Sequence, residues 1–149
     1  MATTPTQTHA LFTTPFSHTT DFTELADNCE HYAYSLLECD DITEKLALCG
    51  RLSTCLALLQ PMLHEPVPAH LLPHFIVNDL PARLPAFEPE SDQLGQYCQV
   101  LTQLLIGRAL PQEMVRVIED LLCELVGYYA DTLKAPRWIN TPEGHIAIN

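Results

Sequence analysis

Cys29-Glu30-His31 and Cys39-Asp40-Asp41 set thiol, imidazole and carboxylate side chains within thirteen residues, the donor types that hold zinc or iron. Two neighbouring helices would bring these segments towards Cys49 and Cys55. The spacing argues against a metal centre, because the chain has no Cys-x-x-Cys pair and no His-Glu-x-x-His. On a helix, Cys29 falls on the apolar stripe while His31 points away from it. His64, His70 and His74 lie in a proline-rich stretch, and the apolar residues Leu71, Leu72 and Phe75 beside them favour packing over catalysis. Nucleophilic chemistry lacks a Gly-x-Ser-x-Gly elbow, and the five glycines are too scattered to cradle a phosphate. The sequence therefore predicts no catalytic residues, no metal ligands and no cofactor.

Carboxylates are the dominant chemistry. Eight of them occupy the twenty-four residues from Asp21 to Glu44, and nineteen acidic against seven basic residues give a net charge of −12. A field of that sign repels phosphate backbones and anionic lipid, so direct nucleic-acid binding and membrane association are disfavoured. It steers basic protein surfaces inward. The expected activity is that of a non-enzymatic acidic protein-binding module of the adaptor, inhibitor, anti-factor or chaperone type. Its candidate partner-binding carboxylates are Glu24, Asp27, Glu30, Glu38 and Asp40, with Tyr128, Tyr129 and Trp138 as aromatic anchors, since such side chains dominate binding energy.

Helices must position these groups. Apolar residues at spacings of three and four predict an all-α fold with four helices, over residues 21–38, 41–60, 91–107 and 111–134. Asp21 with Glu24, and Asp41 with Glu44, make capping boxes at the first two starts. Pro61 is expected to end the second helix, and Gly107 the third. Pro111 suits the first position of the fourth, with Lys134 and Pro136 at its end. The connections inside each pair are short, which forces two antiparallel hairpins and a four-helix-bundle-like single domain.

Between the hairpins, residues 61–90 hold seven of the twelve prolines, so a long helix is excluded there. Leu80, Leu84 and Phe87 predict that this segment packs across the bundle, with one helical turn near Ala69 to His74. The expected core stripes are Phe22, Leu25, Ala26, Cys29, Ala33, Leu36 and Leu37 on the first helix, and Leu46, Cys49, Leu52, Cys55, Leu56 and Leu59 on the second. The fourth helix has so wide an apolar arc, Leu121 included, that it is expected to be central or to offer a second face for self-association. Residues 1–20, rich in threonine, read as a loosely packed arm in which Leu11, Phe12 and Phe16 could dock, and residues 135–149 as a tail.

The length suits one domain. Six cysteines within helices, and an N-terminus without a basic start or apolar run, predict reduced thiols in the cytoplasm. No stretch approaches the apolar length of a membrane span. The alternative readings are a helical bundle enclosing a small ligand or metal and, behind it, a small enzyme.

Overall fold

The structure, a computed structural model, describes residues 13 and 15–148. It is mostly helical, as the all-α expectation requires. In chain order the elements are α1 (Phe22–Glu38), α2 (Ile42–Met62), the single turn α3 (Leu72–Phe75), α4 (Ser91–Ile106), α5 (Gln112–Lys134), β1 (Trp138–Thr141) and β2 (Gly144–Ala147). The long helices pair as α1 with α2 and α4 with α5, and the chain divides into two compact units, Met1–Leu80 and Pro81–Asn149.

In the first unit both helix starts follow from side-chain caps. The Asp21 carboxylate accepts from the backbone N–H groups of Thr23 at 2.9 Å and Glu24 at 3.0 Å, and from the Thr23 hydroxyl. The Asp41 carboxylate accepts from Glu44 N–H at 2.8 Å. These bonds satisfy amide donors that a helix start leaves open. The hairpin closes around Leu25, Tyr32, Leu48 and Cys55, all fully buried. Phe16, from the N-terminal arm, packs on this core, whereas Leu11 and Phe12 lie outside the described residues.

The buried face differs from the expected one by a rotation of each helix. On α1 the inward residues are Leu25, Asn28, Tyr32 and Leu36, while Ala26, Ala33 and Leu37 are exposed. On α2 they are Leu48, Leu52, Cys55 and Leu59, while Leu46, Cys49 and Leu56 face out. Helix α2 is apolar around most of its circumference, so periodicity alone cannot select a face. Pro61 does not stop α2, which runs one residue further to Met62. A proline in the last turn forfeits its own N–H bond and crowds one carbonyl of the turn before it, a cost confined to the end of a long helix.

The proline-rich segment packs near its two ends, through Leu71 and Phe75 in the first unit and through Phe87, which meets Tyr128, in the second. Leu71 is buried, and Phe75 stacks on Phe22 with ring centroids 5.6 Å apart. Ile76, Val77, Leu80 and Leu84 are exposed, contrary to the expected crossing.

In the second unit α4 contributes Leu94 and Cys98 to a small core. Helix α5 has no fully buried residue and is not central. Its half-buried stripe is Val115, Ile118, Leu122, Leu125 and Tyr129, and Leu121 remains 44% exposed. In a two-helix hairpin each helix has one neighbour, which covers only part of so wide an arc. Gly107 caps α4 with an ordinary right-handed φ of −63°, and the left-handed residue is Arg108, at φ 52°. At Gly95 an added Cβ would lie 3.1 Å from the Tyr129 hydroxyl, so a residue without a side chain lets α5 sit close. The tail forms an antiparallel ribbon pairing Trp138 with Ala147 and Ile139 with Ile146, turned through Gly144 at φ 123°.

Two stability outcomes follow. Donation by the Thr23 hydroxyl, then by the Glu24 N–H, holds the Asp21 carboxyl below its ordinary value of 3.8. A lowered folded pKa means a stabilisation that is present above the ordinary value and lost as pH falls through the folded one. Asp21→Ala is expected to cost about 1 kcal/mol in urea unfolding at neutral pH, a gap that narrows as the pH falls from the ordinary carboxyl value through the lower folded one. Gly127 has open space at its Cβ position, so Gly127→Ala should raise the free energy of unfolding by about 1 kcal/mol, whereas Gly95→Ala should gain less or lose.

Candidate functional site

Helix α1 carries two opposed faces. Its buried stripe turns Tyr32 inward, and the other side carries Asp27, Glu30, Tyr34 and Glu38 at spacings of three, four and four, all exposed. Glu24 and Asp40 are exposed as well. Charge is unevenly shared: residues 1–80 hold ten acidic and two basic side chains, a net of −8, and residues 81–149 hold nine and five, a net of −4.

Of the two cations in the first unit, Arg51 turns towards the seam. Its Nε donates to the Tyr32 hydroxyl at 3.2 Å, and its guanidinium lies 4.2 Å over the Phe16 ring centroid and 5.8 Å from that of Tyr32. Phe16 meets Tyr32 edge to face at 6.3 Å. Cation–π contact and hydrogen bonding thus commit this charge to holding the arm and α2 against α1. Lys45 is half-buried. The carboxylates outside are left with little neutralisation.

The cysteine and histidine groups do not converge on a metal centre, and no set of three or more His, Cys, Asp or Glu residues among those described could hold a metal ion. Glu30 and His31 face outward, and Cys49 is exposed. Cys29 and Cys55 meet inside the hairpin, where burial pushes the Cys55 thiol up to about 11, helped by its donation to Cys29. Burial also raises Cys29. At the helix connection the Cys39 thiol donates to Glu44 Oε2 at 3.3 Å. An open cleft of about 200 Å³ lies between the start of α1 and the chain beyond α2, with His18, Asp21, Glu65 and His70 among its walls.

The aromatic candidates belong to the second unit. Tyr129 is half-buried against Gly95, so it serves packing. Tyr128 is 39% exposed and donates from its hydroxyl to the Phe87 carbonyl at 3.3 Å. Trp138 sits on β1 and is 61% exposed, so it covers little. Sequence reasoning missed Tyr34, 60% exposed within the α1 carboxylates, although its position four residues from both Glu30 and Glu38 was a usable signal.

No helix among the described residues is long and apolar enough to cross a membrane. Set against known protein families, curated proteins and solved structures, the chain has no match.

Thiol chemistry should report this arrangement. With excess aromatic disulfide reagent at pH 8, Cys49 and Cys123, both exposed, are expected to react first, and Cys55 only at the rate of unfolding. Peptide mapping of partly labelled protein reads the order. Fast labelling of Cys55 would mean that the hairpin core is wrongly assigned.

Proposed function

We propose that the chain is a non-enzymatic, cytoplasmic protein-binding module whose α1 face engages a basic surface on a protein partner. The observation that carries this reading is the unbalanced first unit, with ten carboxylates against two cations, one of which is held at the seam by Tyr32 and Phe16. Exposed charge of one sign along a rigid helix provides long-range attraction and register for a partner of the opposite sign. Tyr34 within that face supplies a rigid aromatic contact at low entropic cost. Such a module acts by occupying its partner, as an adaptor, inhibitor, anti-factor or chaperone does.

The test is affinity capture from the native cell extract at low and high salt, with Glu24→Lys, Asp27→Lys and Glu30→Lys combined in one variant. All three side chains are exposed, so folding stability should change by about 1 kcal/mol or less. Capture of a stoichiometric protein is expected at low salt, falling about tenfold or more in the variant. Equal capture by both proteins at low salt would overturn the proposal.

A further inference from the structure

The second unit has an apolar face that its own fold leaves open. Along α4, Tyr97, Val100 and Leu104 lie beside the seam residues Leu94, Cys98 and Leu101, and remain 42%, 60% and 45% exposed. Along α5, Met114, Val117, Leu121 and Tyr128 lie beside the half-buried stripe in the same way, at 55%, 67%, 44% and 39%. With about 100° of turn per residue, each exposed row is displaced from its seam in the same rotational sense. The two helices run antiparallel, so the same sense puts both rows on one side of the hairpin. Phe87 closes one end, its ring centroid 6.1 Å from that of Tyr128.

The borders of this face differ. Continuing around α5 in the same sense, the next row is Glu113, Asp120, Glu124 and Asp131, at spacings of seven, four and seven, all exposed. The corresponding border on α4 carries one carboxylate, Asp92 in the first turn, and is otherwise uncharged through Gln96 and Gln103. Arg116 and Lys134 lie beyond that carboxylate row, on the side away from the apolar strip, and Lys134 Nζ comes 3.9 Å from Asp131. An apolar strip edged by carboxylates complements one kind of helix, with apolar residues at three- and four-residue spacing and lysine or arginine along one flank. A second copy of this chain would bring a net charge of −12 against another −12.

We infer that the α4–α5 face is a docking groove for a basic amphipathic helix of a partner protein. From Met114 to Tyr128 the strip runs about 21 Å, the length of a helix of about fourteen residues. The groove uses residues distinct from the carboxylates of α1, so either assignment can fail without the other.

The experiment uses the full chain and a fluorescent peptide of about fourteen residues, with leucine at helical spacing and lysine elsewhere, read by anisotropy at low and high salt. The same peptide with glutamate for lysine is the control. Saturable binding of the lysine peptide only is expected, weakened about tenfold or more by combining Val117→Glu with Leu121→Glu. Combining Glu113→Gln, Asp120→Asn and Glu124→Gln should flatten the salt dependence. Met114→Gln with Val117→Gln, at two exposed positions, repeats the apolar test should the glutamate variant fail to fold. Combining Glu24→Gln, Asp27→Asn and Glu30→Gln should leave peptide affinity within about twofold. Three results would overturn the inference: no saturable binding of the lysine peptide, binding indifferent to the α4–α5 variants but lost in the α1 variant, or a wild-type dimer in sedimentation that Leu121→Glu dissociates.

Discussion

Much of the first unit depends on how a buried tyrosine is accommodated. Tyr32 is the largest fully buried side chain, and its hydroxyl cannot be left dry at a helix seam without a cost of about 1–3 kcal/mol. Arg51 supplies a donor, and in doing so its guanidinium settles over Phe16. One arrangement therefore fixes the register of α1 on α2, holds Phe16 against the hairpin and draws a half-buried positive charge to the seam. The acidity of the α1 exterior is partly a product of packing inside.

Much of the secondary structure could be read in advance because it is decided locally. Asp21 and Asp41 cap the helices they were expected to cap, and each hairpin joins helices close in sequence. The inward faces were harder, because they depend on the neighbour. On α2 leucine, alanine and cysteine surround the helix, and Leu48 rather than Leu46 is buried only because Tyr32 and Leu25 stand opposite. Tyr32 and Asn28, both buried, were not among the residues of the expected stripe. On α5 the breadth of apolar sequence suggested depth, yet depth requires several neighbours and the hairpin provides one. The terminal ribbon was hidden by its length: four-residue strands carry too little alternation to stand out.

The candidate sites divide in the same way. Carboxylates at i, i+3 and i+4 on a helix are legible because solvent exposure is their ordinary condition. The meeting of Cys29 with Cys55 is a long-range event that depends on the rotation of both helices, and the absence of a motif gave no hint of it. The open face of α4 and α5 was half visible, as the second face expected of the last long helix. Its carboxylate border could be recognised only once the seam was known.

The connection between α1 and α2 spans only Cys39, Asp40 and Asp41, and the core it closes draws on no residue beyond Met62. Closing so short a loop costs little chain entropy. During synthesis, at about 5–20 residues per second, the N-terminal hairpin can complete its buried cluster while the later helices are still being made. The more acidic of the two units would then reach its final form before the helices of the second unit have been made.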